Sequence, residues 1–180
     1  MRINLSDTLF CLVDVQEKLF PHIGNKEELE KNLPILIKGM KVLNVPIIVN
    51  EQYKKGIGET IEPLKTLVNK YKFYEKTTFS ACQTEEILEI FKQSGKKNIV
   101  VAGIETHVCV LQTCIDLLEN NFNVILVTNC CGSRKKLDHK MAIKRLIQAG
   151  AIPTTYESIL FELTVDSKNP NFKEISSLIK

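Results

Sequence analysis

At 180 residues, 44% hydrophobic and 25% charged, the chain is long enough to bury a substantial core and is read as one domain over 1–180. The net charge of +3 is modest, and no apolar run approaches the length that spans a bilayer, so neither nucleic acid nor membrane is an expected partner. The opening residues Met1-Arg2-Ile3-Asn4-Leu5-Ser6-Asp7 lack the basic-then-apolar order of a signal peptide, and the expectation is a cytoplasmic protein.

The first element is the run Thr8 to Val13, continuous rather than alternating, as suits a parallel strand covered on both faces. Asp14 follows it, at the sheet edge and half out of water, where desolvation makes a carboxylate a better base; the alternative is a helix cap or a bond to loop amides. Asn25, with Glu28 three residues later, caps a helix reaching to about Leu43 that Pro34 kinks or breaks. A second strand covers Pro46 to Val49, and Asn50-Glu51-Gln52 follow it. Lys76 lies in Tyr74 to Ser80, with too few aliphatics for a core strand and too many Thr and aromatic residues for a helix. By itself it is a solvated loop lysine.

Thr84, Glu85 and Glu86 open another helix that Gly95 ends. Asn98 to Ala102 is the third strand, followed by Gly103-Ile104-Glu105-Thr106 and then by a helix carrying Cys109 in its first turn. Val108, Leu111, Ile115, Leu118 and Phe122 make its apolar stripe, whereas Cys109 shares a stripe with Gln112, Thr113 and Asp116. A thiol there feels the positive end of the helix dipole, which favours thiolate, although an unassisted cysteine is usually packing. Cys11 and Cys114 are assigned to packing, and Cys82 and Cys130-Cys131 are left open. His107 stands two residues from Cys109 and cannot readily serve it as a base.

Val124 to Val127 is a fourth strand, Asp138 and Gly150 bracket a helix with Met141, Ala142, Leu146 and Ala149 on one face, and Ile152 to Tyr156 is a weaker fifth run. The basic residues from Arg134 to Arg145 are read as a solvated helix face. The six cysteines show no framework spacing and are expected reduced, and the three histidines lie far apart, so neither a metal nor another cofactor is expected. Alternating strand and helix imply a three-layer α/β/α sandwich with a mostly parallel sheet, whose ligands gather beyond the carboxyl ends of the strands.

Taken together, Leu12-Val13-Asp14-Val15-Gln16, Glu51-Gln52-Tyr53, Lys76 to Ala81, and Gly103 to Val110 resemble the isochorismatase-like cysteine hydrolases, nearest their isochorismatase-domain-containing branch. The resemblance continues through Gln112-Thr113, Ser133-Arg134 and Ala149-Gly150-Ala151 to Thr154-Thr155-Tyr156-Glu157-Ser158 and Leu160-Phe161-Glu162-Leu163. It implies the fold just described and a homo-oligomer acting on a small molecule without metal or cofactor. It implies that Asp14 takes the proton of Cys109 and that Lys76 stabilises the thiolate. It implies a cis peptide between Ile104 and Glu105, an oxyanion hole from the amides of Glu105 and Cys109, and substrate contacts at Ile104, Glu105 and Phe79.

Two departures shape the expectation. The Asp-x-His of metal-dependent nicotinamidases is replaced by Glu51-Gln52-Tyr53, and the usual Asp-x-x-Ser-Ser-Arg reads Asn129-Cys130-Cys131-Gly132-Ser133-Arg134. The presence of Cys109 leans toward cleavage of a C–N bond in an amide or ureido compound through a thioester. The alternatives are vinyl-ether hydrolysis that needs Asp14 and Lys76 but not Cys109, and a non-catalytic oligomeric member of the fold.

Overall fold

The computed structural model describes residues 1–180. Its six parallel strands are β1 (Thr8–Val13), β2 (Ile47–Gln52), β3 (Phe73–Lys76), β4 (Asn98–Ile104), β5 (Asn123–Gly132) and β6 (Ile152–Thr154), in the order β3-β2-β1-β4-β5-β6. The helices are α1 (Lys26–Val42), α2 (Lys54–Ile57), α3 (Glu62–Val68), α4 (Glu85–Gln93), α5 (Leu111–Glu119), α6 (Lys136–Gln148), α7 (Tyr156–Thr164) and α8 (Phe172–Ile179). A π-helical turn, Thr106–Val110, leads into α5.

Successive strand residues point to opposite faces, which splits the core into two layers. On one side Phe10, Leu12, Val100 and Ala102 pack with Leu29, Leu33 and Ile37 of α1 and Ile159, Leu160 and Leu163 of α7. On the other side Leu9, Cys11, Ile99 and Val101 meet Phe91 of α4, Cys114 and Leu117 of α5 and Leu146 of α6. The expected three-layer α/β/α sandwich is therefore observed, with the sheet wholly parallel. Chain order reverses between β1 and β4, which puts the topological switch point beside Asp14 and the loop that carries Cys109.

Gly103 makes that point possible. It adopts φ +133°, and a Cβ built on it would lie 2.0 Å from the carbonyl oxygen of Val13, its register partner on β1. Only a residue without a side chain lets the two central strands approach so closely at their carboxyl ends.

Several expectations are corrected. The strands run further than their apolar runs: Asn50, Glu51 and Gln52 belong to β2, Gly103 and Ile104 to β4, and Thr128 to Gly132 to β5. Continued ladder pairing, which polar side chains do not prevent, extends them. The segment read as a loop around Lys76 contains β3, which pairs with β2 from Val49↔Phe73 to Gln52↔Lys76. As an edge strand it needs fewer aliphatics than a central one.

Pro34 neither breaks nor ends α1, whose Leu29, Leu33, Leu36, Ile37 and Met40 are buried and offset the one hydrogen bond the proline removes. Asn25 precedes that helix but makes no side-chain cap, because its Nδ2 donates to the carbonyl oxygen of Cys131 instead. In α6 only Ala142 and Leu146 of the expected face are buried; Met141 and Ala149 are exposed. All six cysteines are free and buried, so Cys82, Cys130 and Cys131 join Cys11 and Cys114 in packing.

No helix is long and apolar enough to cross a membrane.

Candidate active site

Three carboxyl-terminal positions converge at the switch point. Asp14 is the residue at which β1 turns away, with φ +52°, a left-handed conformation that short polar side chains tolerate best. Its amide donates to the carbonyl oxygen of Asn50, tying the turn to β2. Lys76 ends β3, and Cys109 sits in the π-turn after β4. Asp14 is wholly buried, not half out of water as the sequence suggested, with its amide on Asn50 of β2 and its carboxylate on Lys76 of β3. Lys76 is likewise buried rather than solvated.

Lys76 Nζ donates to Asp14 Oδ2 at 2.7 Å, to Gln52 Oε1 at 2.7 Å, to the Phe79 carbonyl at 2.9 Å and to the Thr78 carbonyl at 3.2 Å. A buried ammonium is tolerable only with such a complete set of acceptors. Gln52 is positioned in turn: its Nε2 donates to the Thr77 carbonyl and its amide to Gln16 Oε1, while Gln16 Nε2 donates to the carbonyls of Gln52 and Gly58. Gln16 and Gln52 are thus candidate positioning residues beyond the expected set. Their place at the ends of β1 and β2 was the available signal, but a neutral amide announces no chemistry on its own.

The second carboxylate oxygen, Asp14 Oδ1, has no hydrogen-bond partner despite being buried. The Cys109 side chain and this carboxyl group influence one another's ionisation. Burial pushes the Asp14 pKa above the ordinary carboxylate value, outweighing the charge of Lys76 that pulls it down. Burial also pushes the Cys109 thiol well up, the nearby Asp14 charge adds to this, and Lys76 only partly opposes them. The sequence-based expectation that the helix dipole favours thiolate is therefore corrected. With burial working against the thiolate, the thiol proton is better lost during attack than before it.

Cys109 is 5% exposed and belongs to the core layer beneath α5, not to a polar stripe. The buried face of this segment is Thr106, Cys109, Val110, Thr113, Cys114 and Leu117, whereas Val108, Leu111, Ile115 and Leu118 are only half-buried and Gln112 is exposed. The π-turn and the small size of Cys and Thr explain the difference. The turn rotates the helical wheel, and small side chains let α5 lie close on the sheet.

Of the residues expected to contact substrate, Ile104 is buried at the end of β4, and the Ile104–Glu105 peptide is cis. The Glu105 carboxylate is engaged by the amide and Nε of Arg134, at 3.1 and 3.0 Å through Oε1. Phe79 lends its carbonyl to Lys76 while its ring stands 53% exposed, and Tyr53 is a second exposed ring on the loop after β2. The altered segment after β5 is also placed: Asn129 Oδ1 accepts from the Tyr156 amide, and Ser133 meets His107.

The fold and this carboxyl-edge cluster define an α/β protein of the isochorismatase-like class. Residues 8–158 match the isochorismatase domain, and the chain belongs to the isochorismatase family. It is 41% identical to isochorismatase family protein 1A of Dictyostelium discoideum over 182 aligned positions, covering 97% of this chain and 88% of that one. Among solved structures it is similar to the MAR1 ribonuclease of Caenorhabditis elegans, with a TM-score of 0.90, 38% identity, and 99% and 92% of the two chains covered. It is also similar to the YcaC gene product of Escherichia coli, an octameric hydrolase of unknown specificity, with a TM-score of 0.94, 26% identity, and 99% and 89% covered.

Proposed function

We propose that this protein is a cytoplasmic cysteine hydrolase, one domain over 1–180, that cleaves a C–N bond of a small amide or ureido-type substrate without a cofactor. The observation that carries the reading is the buried Lys76–Asp14 pair with one carboxylate oxygen unpaired, at the carboxyl edge of the sheet where the turn carrying Cys109 leaves β4.

Asp14 takes the thiol proton as Sγ attacks the carbonyl carbon, so the thiolate forms only as the new C–S bond does. Lys76 holds the Asp14 carboxylate ionised until it accepts that proton, and its positive charge then offsets the negative charge developing on the sulfur and the carbonyl oxygen. The carbonyl oxygen becomes an oxyanion received by the main-chain amides of Glu105 and Cys109. Collapse of this intermediate breaks the C–N bond, and the leaving amine takes the proton from Asp14. Water then adds to the thioester with Asp14 again as base, releasing the acid and restoring the thiol. Ile104 and Glu105 line the acyl side, and the exposed Phe79 ring offers an apolar face to the remainder of the substrate. The octameric YcaC relative supports a homo-oligomer.

The deciding experiment is a panel of small amides and ureido compounds offered to the wild type and to Cys109→Ala. Hydrolysis by the wild type that vanishes in the variant is the expected result. Activity that survives in Cys109→Ala, with Asp14→Asn inactive, would favour vinyl-ether hydrolysis instead. The name of the Caenorhabditis relative makes RNA a further arm of the panel, and Cys109-dependent cleavage of RNA alone would overturn the amide reading.

A further inference from the structure

In the π-turn that carries Cys109 the carbonyl oxygen of Glu105 accepts from the amides of both Val108 and Val110, at 3.1 and 3.2 Å. Such a turn is an uncommon local structure, and an attack geometry has to be held to within about half an ångström. Side-chain ties to other parts of the chain add to these. Three consecutive side chains, Glu105, Thr106 and His107, each bond to the connection between β5 and α6 or to the first turns of α6. Glu105 Oε1 accepts from the Arg134 amide and Nε, Thr106 Oγ1 pairs with His139 Nδ1 at 2.8 Å, and His107 Nδ1 pairs with Ser133 Oγ at 3.0 Å. Ser133 is itself anchored, since its carbonyl accepts from the Gly24 amide.

The three ties differ in worth. The Arg134 side chain is largely exposed, so its ion pair is screened and contributes little. Thr106 is wholly buried, and a buried hydroxyl that loses its partner is costly. His139 is half-buried, and desolvation holds its pKa below the ordinary imidazole value, so it is neutral at neutral pH and suited to pair with a hydroxyl.

We infer that His139, through Thr106, is a positioning residue that sets the Cys109 turn against Asp14, with Ser133 and Arg134 completing the clamp. This rests on Cys109 being the nucleophile of the proposed function. His139 stands 30 positions after Cys109 in the chain and belongs to none of the segments that place Asp14, Lys76 or Cys109. Nothing else so far described gives it a task.

The test compares His139→Asn, whose amide can occupy the place of Nδ1, with His139→Gln and His139→Leu, which cannot. Two quantities are measured: the rate of iodoacetamide labelling at Cys109, located by mass spectrometry, and hydrogen exchange of the amides of residues 106–110. In His139→Gln and His139→Leu, labelling falls about 3- to 10-fold and exchange speeds up by a similar factor, as loss of one such hydrogen bond implies. His139→Asn stays near wild type in both. Adding Thr106→Val to His139→Leu slows labelling no further. Should the leucine variant fail to fold, the Asn and Gln pair carries the same contrast. Equal labelling by Asn and Gln variants overturns the positioning role, even if exchange differs. A wild-type Cys109 that labels no faster than a reference thiol defeats the proposed function instead. The clamp then stands or falls on the exchange contrast alone.

Discussion

Lys76 Nζ lies 2.7 Å from Asp14 Oδ2, and both side chains are completely removed from solvent. Two opposite charges in such a place support one another, and removing either leaves its partner buried and uncompensated. Lys76→Met is expected to lower stability by about 3–5 kcal/mol in urea denaturation. Removal of the cation also drives the Asp14 pKa still higher, which favours the protonated carboxyl, and labelling of Cys109 is expected to slow. A variant as stable as the wild type would show that the pair is not formed in solution.

The pH dependence follows from the raised pKa of Asp14. Labelling of Cys109 requires the Asp14 carboxylate as proton acceptor. The rate therefore falls as the pH falls, with a midpoint above the ordinary value of about 3.9. Asp14→Asn removes this acid limb and is slower at neutral pH. Because burial and Asp14 push the thiol up, no separate rise is expected at the usual thiol pKa of about 8.5. Stability carries the same signature. A carboxyl whose folded pKa is raised binds its proton more tightly folded than unfolded, so its contribution is full below about 3.9 and is lost as the pH rises through the folded value. Urea midpoints of wild type and Asp14→Asn across this range check the slope.

Gln52 supplies one of the four acceptors around the Lys76 ammonium and is held by Thr77 and Gln16. Gln52→Leu keeps much of the volume and removes the acceptor. A loss of about 1–3 kcal/mol is expected for leaving a buried charged donor short of a partner. Slower labelling of Cys109 should accompany it, since Lys76 would hold Asp14 less firmly. Gln52→Glu, which restores an acceptor, tests whether the oxygen is the atom that matters.

Gly103→Ala places a methyl group 2.0 Å from the Val13 carbonyl at a φ that L residues rarely adopt. The central strands would have to part beside Asp14. A cost of about 3 kcal/mol or more is expected, with loss of Cys109 labelling in whatever fraction remains folded. Gly95→Ala, where nothing lies within 4 Å of the added Cβ, is the control for the positive φ alone and should cost less.

Much of this architecture could be read from residue order. Continuous apolar runs at β1, β4 and β5 require strands covered on both faces, and the helical periods between them require parallel connections, so the three-layer class follows from burial and chain direction. The extents of β2 and β4 could not be read in the same way, because Asn50, Glu51, Gln52 and Gly103 continue a ladder through main-chain bonds that composition does not report. Edge strand β3 was hidden for a related reason: half-exposed pairing leaves no apolar signature.

Asp14, Lys76 and Cys109 were legible as an ordered set, by their types and by the motifs around them. Their electrostatic state was not. Whether a carboxylate is half-solvated or buried, whether a lysine is free or gripped by four acceptors, and whether a cysteine rests as thiol or thiolate depend on desolvation and on charges brought together from distant parts of the chain. The sequence by itself determined the three-layer class with its mostly parallel sheet and the three chemical groups expected at the carboxyl ends of its strands. Only the tertiary structure decided that the Lys76–Asp14 pair is buried, that Gln52 steadies it, and that the turn carrying Cys109 is tied to Ser133, Arg134 and His139. Those relations are distances between residues far apart in the chain, and packing alone sets them.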